Sequence, residues 1–241
     1  MKREAPQIGD RMPRFDAVGK ATGAEKYAAD LYPENLLWAG VRRAGVPHGR
    51  ILEVDTAAAE KIPGVHRVLT RADVPGSNRQ GIVHKDQPVL CGRRVRHCGD
   101  PVALALAEDL PTLQRALEAV RVSIEPLPAV FDVGRALQPD APRVHAEGNL
   151  LRQATLAVGD APGEMERCAV VVEETFRTPV QAHAFLETEG GTARCLADGS
   201  IELTVGTQAP FRDRFEVAHA LGLQPNQVHV ICPYLGGGFG G

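Results

Sequence analysis

Two successive strand–helix–strand patterns constrain the fold of this chain more than any other feature of its sequence. In the first, LLWAGVRRA alternates and is rich in strand-forming residues, Asp55 or Thr56 can begin a short helix, and HRVLT follows as a strand. In the second, DPVALALAE, LPTLQRALEAV and RVSIEPLPAV read as a buried strand, an amphipathic helix and a returning strand, with Thr112 as a possible helix cap. The two patterns predict a compact α/β layer domain over residues 18–130, preceded by an N-terminal arm, residues 1–17.

The pattern changes after residue 130. A proline-rich stretch with weak periodicity predicts a surface connection over residues 131–150. Beyond it, AVVVEETFRTP, GTARCLADGSIELTVGTQ and VHVICPYLG are strand candidates, and Pro210 and Gly222 frame one clear helix, PFRDRFEVAHALGL. We therefore expect a second, more β-rich α/β domain over residues 151–241.

Composition and charge exclude several classes of function. The chain has 241 residues, of which 44% are hydrophobic and 24% charged, and its formal net charge of −3 provides no electrostatic footprint for nucleic acid. No signal-peptide core and no run of transmembrane length is found, so a cytoplasmic protein without a membrane partner is expected. The five cysteines contain no C-x-x-C pair, which argues against a disulfide framework and a structural zinc site.

The glycine-rich stretch YLGGGFGG raises the question of a ligand. It lacks the lysine and hydroxyl residue of a P-loop and the spacing of a Rossmann turn, so nucleotide binding is disfavoured. Consecutive glycines instead let backbone N–H groups approach a bulky, electron-rich ligand, which Phe239 would cover or orient. The alternative is an ordinary loop or terminal tail. Without a ligand we expect the loop to be mobile, because ordering glycines is costly in conformational entropy.

Two further polar features lie upstream of this loop. Gln208 ends a predicted strand just before a helix, where a neutral amide can donate a hydrogen bond to an oxo or carbonyl group, although a structural role is open. The segment TPVQAHAFLETEGGTA could carry a metal or acid/base site, but an internal hydrogen-bond network beside the glycine loop is favoured. Its candidate side chains are Gln181, His183, Glu187 and Glu189.

Three segments in this order, QAHAFLETEGGTA, TVGTQAPFRDRFEVAHALGL and NQVHVICPYLGGGFGG, resemble the molybdenum-binding subunit of the xanthine dehydrogenase and aldehyde oxidoreductase family of molybdenum hydroxylases. The upstream half is similar to the a/b hammerhead domain of that family. The resemblance thus implies a hammerhead-like domain followed by the beginning of a molybdopterin-binding α/β domain.

The resemblance also implies a chemistry. In such enzymes a molybdenum–molybdopterin cofactor inserts a water-derived oxygen at a substrate carbon, and electrons leave through 2Fe-2S clusters and FAD on partner subunits or domains. A purine or another N-heterocycle is the first expected substrate and an aldehyde the second. By similarity Gln208 and Phe239 lie next to molybdenum, and the cofactor-binding residues are Gln208, Gly237, Gly238, Phe239 and Gly240.

The chain also departs from the family pattern. The family loop continues with a lysine or arginine, and the catalytic glutamate base lies far towards the C-terminus of a longer subunit, so no catalytic residue is assigned here. We expect an incomplete cofactor cradle that is inactive alone and is completed by a second polypeptide. The alternative is a non-catalytic truncated or assembly module that folds but does not bind molybdenum.

Overall fold

The computed structural model describes residues 8–9, 11–12, 14–185 and 187–240. Much of the predicted N-terminal arm and Gly241 therefore lie outside the described residues. The strands are β1 (Trp38–Arg43), β2 (Gly49–Asp55), β3 (Val65–Leu69), β4 (Arg94–Val95), β5 (Pro101–Ala107), β6 (Arg121–Pro126), β7 (Gly191–Cys195), β8 (Ile201–Val205) and β9 (Val228–Ile231). The α-helices are α1 (Ala17–Thr22), α2 (Ala57–Glu60), α3 (Leu110–Ala119), α4 (Val133–Ala136), α5 (Ala161–Arg167) and α6 (Pro210–Leu221).

Two small sheets form the first half of the chain. In one, β5 lies in the centre and pairs antiparallel with β1 and with β3. In the other, β2 lies in the centre and pairs antiparallel with β4 and β6. The predicted α/β class is confirmed, and the strand β2 adds a central element that the sequence patterns did not single out.

The main core lies between the β1–β5–β3 sheet and helices α2 and α3. Its buried members are small or branched apolar residues: Ala59, Val68, Ala103, Ala105, Ala107, Leu113, Ala116 and Val120. Alanines along β5 allow α3 to approach the sheet closely, and Gly40 on β1 serves the same end, since a Cβ there would lie 3.0 Å from both Leu113 Cδ2 and Leu117 Cδ1. Helix packing thus depends on small residues facing α3.

Helix α3 begins with a different cap from the one predicted. Asp109, rather than Thr112, is the N-cap, and its Oδ1 accepts a hydrogen bond of 2.7 Å from Thr112 N. This bond lowers the pKa of Asp109, because it favours the charged carboxylate. Thr112 is instead a buried residue of the first turn.

The second half has its own three-stranded sheet. β8 is central, with β7 antiparallel on one side and β9 parallel on the other, and α6 provides the crossover between β8 and β9. As predicted, Pro210 opens α6 and Gly222 ends it in the left-handed conformation, with a φ of 70°. This crossover places the chain after β8 beside the chain after β9.

One predicted strand is wrong. Residues 169–179 (AVVVEETFRTP) form no strand in the described structure, and their apolar side chains, including Val170, Val172 and Phe176, are exposed. A strand needs neighbouring N–H and C=O groups for its backbone, and the described part of the chain provides no ladder for this segment. Among the helices described, none has the length and apolar character to cross a membrane.

Candidate functional site

Gln208 lies in the turn between the end of β8 and the start of α6. The turn is fixed on both sides of Gln208: the Thr207 hydroxyl accepts a hydrogen bond of 3.0 Å from Ala209 N, and it also contacts the Asp213 carboxylate on α6. Cys232, just after β9, donates through Sγ to the Thr207 carbonyl at 3.2 Å. The parallel pairing of β8 with β9 therefore holds Gln208 next to the glycine-rich loop.

The side-chain amide of Gln208 spans that loop. With the amide oriented to satisfy both of its ends, Nε2 donates to the Gly238 carbonyl at 2.7 Å and Oε1 accepts from Gly240 N at 3.0 Å. A glutamine amide nitrogen carries two hydrogens, so one donor on Gln208 remains for a further acceptor. Gln208 thus fixes the loop around Phe239 and retains a donor.

Phe239 packs against the segment that precedes β7. Its ring lies 5.2 Å from the His183 ring, centroid to centroid, in a tilted arrangement. The neighbouring Ala184 has a φ of 51°, a left-handed conformation that costs energy for a residue with a Cβ atom. This local strain lies next to the residue, His183, whose ring contacts Phe239.

Two glycines of the loop differ in the room that a side chain would have at their positions: Gly237 has too little, whereas the nearest atoms to Gly238 lie at ordinary contact distance. A Cβ on Gly237 would lie 2.9 Å from Phe239 Cε2 and 3.0 Å from Phe185 Cβ. A Cβ on Gly238 would lie 3.4 Å from the Cβ of Gln208. The absence of a side chain at Gly237 therefore lets the loop backbone lie close to the Phe239 ring and to Phe185.

The loop backbone presents donors beside a cavity. The N–H groups of Gly237, Gly238 and Phe239 have no hydrogen-bond acceptor among the described residues. A cavity of about 620 Å³ is lined by Gln208 and Gly237 together with residues of both halves of the chain, including Gln80, Gln87, Arg212 and Asp213. Its volume falls within the usual range for small-molecule and cofactor sites.

The predicted hydrogen-bond network beside the loop involves Glu187. Its Oε2 accepts a hydrogen bond of 2.6 Å from Gly236 N. Glu189 is exposed, and among the described residues no three His, Cys, Asp or Glu side chains are grouped so that they could hold a metal ion. The structure therefore gives Glu187 a contact with the loop and offers no support for a metal site in this segment.

Lys20 is a site-adjacent residue that sequence reasoning missed. Its Nζ donates to the Leu235 carbonyl at 3.2 Å across 215 residues of sequence, and Tyr27 forms a parallel β-bridge with Tyr234. No local pattern in the sequence marks Lys20 or Tyr27, which both lie before the first strand. Their contacts with Leu235 and Tyr234 are visible only in the folded structure.

Two family models match this chain, and together they cover most of it. Residues 22–128 match the aldehyde oxidase and xanthine dehydrogenase a/b hammerhead domain, and residues 142–241 match the molybdopterin cofactor-binding domain. The chain belongs to the aldehyde oxidase and xanthine dehydrogenase family. The resemblance read from the three sequence segments is thereby confirmed, and so is the order of a hammerhead domain followed by a molybdopterin-binding domain.

Relatives of the family support the assignment over nearly the whole chain. The chain is 40% identical over 228 residues to a probable xanthine dehydrogenase subunit of Bacillus subtilis, a match that covers 95% of the chain and 31% of that protein. It is 37% identical to the nicotinate dehydrogenase large molybdopterin subunit of Eubacterium barkeri, over 100% of the chain and 57% of that protein. The chain thus spans 31% and 57% of the lengths of these two family members.

A solved structure of the same family has the same fold. The aldehyde oxidoreductase of Desulfovibrio gigas superposes with a TM-score of 0.83 at 30% identity, covering 95% of this chain and 27% of that one. The similarity includes both halves of the chain. The small sheets described above are therefore those of an oxidoreductase family whose curated members include molybdopterin subunits.

Proposed function

We propose that this chain is the N-terminal part of a molybdopterin-dependent hydroxylase subunit and contributes part of the molybdenum cofactor site. One observation carries the proposal: Gln208 keeps a free amide hydrogen where its side chain joins Gly238 and Gly240. A donor on a neutral side chain, fixed by its own hydrogen bonds, suits an oxo or hydroxo group of a metal centre. Gln208 and Phe239 are the proposed molybdenum-proximal residues.

The donor set around Gln208 fits a large anionic cofactor. The N–H groups of Gly237 and Gly238 lack acceptors in the described structure, and the loop leaves no room for a Cβ at Gly237. Such clustered backbone donors favour a negatively charged group and need no cationic side chain. Gly237, Gly238, Phe239 and Gly240 would hold the cofactor with Gln208.

When bound, the molybdenum cofactor supplies the redox chemistry, in which a water-derived oxygen is added to a substrate carbon and two electrons are removed. The role of this chain is to position that centre. Gln208 would donate a hydrogen bond to a ligand of the bound metal, and Phe239, in contact with His183, would limit access of water from one side. No described residue is proposed as the general base, because Glu187 is engaged by Gly236 N.

The relatives suggest the substrate class and the partners. Two of them are named for xanthine and nicotinate, which are both N-heterocycles, whereas the structural relative acts as an aldehyde oxidoreductase. We therefore rank an N-heterocycle first and an aldehyde second. The electrons removed from the substrate need acceptors, so the proposal includes an iron–sulfur subunit with 2Fe-2S clusters, a FAD subunit, and a polypeptide that provides the remaining cofactor contacts.

A second candidate function is a folded module that never binds molybdenum. The observation that favours it is the exposure of residues 169–179, whose valines and phenylalanine are uncovered in the described structure. Such a chain would serve in assembly and would not form a cofactor site. The two candidates differ in whether molybdopterin is ever retained.

The deciding experiment measures molybdenum and pterin in the purified chain, alone and after co-expression with the iron–sulfur, FAD and remaining molybdenum-subunit polypeptides. We expect the cofactor in the assembled complex, and its loss when Gln208→Ala is introduced. The variant Gln153→Ala, which changes an exposed glutamine far from the loop in sequence, is the control. An assembled complex that contains the chain but neither molybdenum nor pterin would support the second candidate instead.

A further inference from the structure

A single peptide group at the start of the glycine-rich loop is bound at both of its ends by charged side chains. The carbonyl of Leu235 accepts from Lys20 Nζ at 3.2 Å, and the N–H of the same peptide, on Gly236, donates to Glu187 Oε2 at 2.6 Å. A cation therefore holds the negative end of the peptide dipole and an anion holds its positive end. Hydrogen bonds of this kind to charged groups are stronger than neutral ones.

Lys20 is itself held in place. Its ammonium forms an ion pair of 2.9 Å with Asp16 one helical turn earlier on the α1 segment, and its side chain is only 19% exposed. The ammonium also lies 5.8 Å from the Tyr27 ring centroid and 5.6 Å from the Tyr234 ring centroid, within the range of cation–π attraction. Hydrogen bonds from Arg14 and then Lys20 lower the pKa of Asp16 to about 2, so this carboxylate is charged at neutral pH.

Glu187 reaches the loop because two glycines leave it room. A Cβ on Gly206 would lie 2.4 Å from Glu187 Oε1, and a Cβ on Gly236 would lie 2.4 Å from Glu187 Cβ. Neither distance is compatible with a side chain at those positions unless Glu187 moves. The chain thus keeps the space through which the carboxylate approaches the Leu235–Gly236 peptide.

We propose that Lys20 and Glu187 are positioning residues that fix the plane of the Leu235–Gly236 peptide and so direct the following glycines towards Gln208. The peptide precedes a run of glycines that have little conformational preference of their own, so its orientation decides where the next N–H groups point. Neither side chain needs to touch the cofactor. The contacts of Lys20 and Glu187 do not depend on the proposed function. Only their role, which is to present the loop to molybdopterin, rests on it.

The clamp formed by Lys20 and Glu187 also joins distant parts of the chain. Lys20 belongs to the segment before the first hammerhead strand, Glu187 precedes β7, and the peptide that they hold follows β9. Because Tyr27 and Tyr234 pair as a β-bridge, the N-terminal segment and the loop share backbone contacts as well. The position of the loop therefore depends on elements outside the domain that carries it.

Amide hydrogen exchange of the cofactor-free 241-residue chain, followed by NMR, tests the clamp. In Lys20→Met we expect exchange at Gly236 and Gly240 to be roughly tenfold faster or more, since the lost bond is charge-assisted. Gly236 N–H bonds to Glu187 and Gly240 N–H to Gln208, so neither is a direct partner of Lys20. In Glu187→Ala the informative amide is Gly240, because Gly236 loses its own acceptor in that variant.

Matched variants distinguish positioning from general destabilisation. Lys26→Met and Glu189→Gln change exposed residues of the same two segments and should leave both glycine amides unchanged. Amides of β8, such as Leu203, should exchange at the original rate in every variant. If Lys20→Met proves unstable, Lys20→Gln keeps a donor without the charge and should give a smaller acceleration.

The outcomes separate this inference from the proposed function. Unchanged exchange at Gly236 and Gly240 in both Lys20→Met and Lys20→Gln overturns the clamp, whatever the cofactor content of the assembled enzyme. Faster exchange at these amides, combined with an assembled complex that lacks pterin and molybdenum, upholds the clamp and refutes the proposed function. If amide exchange at Leu203 becomes faster by the same factor, the clamp is also overturned, because the whole fold has then been destabilised and not the loop alone.

Discussion

Gln208 and Gly238 are joined by a hydrogen bond of 2.7 Å between the side-chain amide of the first and the carbonyl of the second, although a helix and a strand separate them along the chain. The bond exists because β8 and β9 are parallel neighbours, so their carboxyl ends meet at one edge of the sheet. Ligands bind at this edge in many α/β proteins. The site is thus a consequence of the crossover through α6.

Gln208→Glu should weaken cofactor retention by about one to two orders of magnitude in affinity. The substitution replaces the donor to Gly238 with a carboxylate oxygen that repels the carbonyl, and it removes the second hydrogen proposed for a metal ligand. The molybdenum and pterin content of the assembled complex, titrated against added chelator or assayed after gel filtration, measures the effect.

Gln153→Glu is the matched control, because it adds the same charge at an exposed position away from the loop. It should retain as much cofactor as the original chain. Equal retention by Gln208→Glu would mean that this side chain does not face the metal centre.

Gly237→Ala should displace Phe239 from His183. The added methyl group would lie 2.9 Å from Phe239 Cε2 and 3.0 Å from Phe185 Cβ, and the shorter of these distances forces the Phe239 ring and the loop apart. We expect the nuclear Overhauser contacts between the Phe239 and His183 rings to be lost. Gly190→Ala, whose nearest contact would be an ordinary 3.4 Å, should preserve them, and persistence of the ring contact in Gly237→Ala would contradict the close packing of the loop.

Leu113→Ala should reduce the free energy of unfolding by about 2–5 kcal/mol, as is typical for truncation of a buried leucine. Leu113 is 6% exposed and packs into the core between α3 and the β1–β5–β3 sheet. Chemical denaturation followed by far-UV circular dichroism gives the value. Leu110→Ala removes a leucine from the same helix at a 51% exposed position and should change stability by only about 0.5 kcal/mol. Similar losses in both variants would be inconsistent with this core.

The sequence is sufficient to predict those helices and strands whose position is decided by local residue patterns. Helix α6 follows from Pro210 and Gly222, and the strands on either side of α3 follow from alternation and composition, so these elements were predicted closely. The cap of α3 was misplaced because Asp109 and Thr112 are both able to cap, and only the backbone geometry distinguishes them. The strand predicted over residues 169–179 is wrong because strand-forming residues also need a neighbouring strand to pair with, and the described structure provides none for this segment.

The site could be predicted only in part, for a related reason. The family motifs predict Gln208 and Phe239 as residues of the candidate site, and the sheet topology then brings their segments together. Contacts across long separations have no signature in the sequence, and the Lys20–Leu235 hydrogen bond is the clearest case. The expectation of a mobile loop considered only the entropy of its glycines; the structure adds charged contacts at its first peptide that favour an ordered position.

Tyr234, next to the loop, should ionise at a higher pH than an ordinary tyrosine. A hydrogen bond with Glu25, followed by the negative charge of that residue, raises the pKa of Tyr234 above its ordinary value. A raised pKa in the folded state means that the protonated phenol contributes stability that is fully present below about pH 10, the ordinary tyrosine value, and is lost as the pH rises through the higher folded value. Titration of tyrosine absorbance should therefore show a component that ionises above about pH 10 and that belongs to Tyr234. Glu25→Gln should return that phenol towards the ordinary value, while Glu34→Gln, an exposed change outside the contact, should not. If the tyrosine titration of the original chain is the same as that of Glu25→Gln, the Glu25–Tyr234 contact is absent in solution, and the N-terminal segment does not hold the start of the loop in the way described.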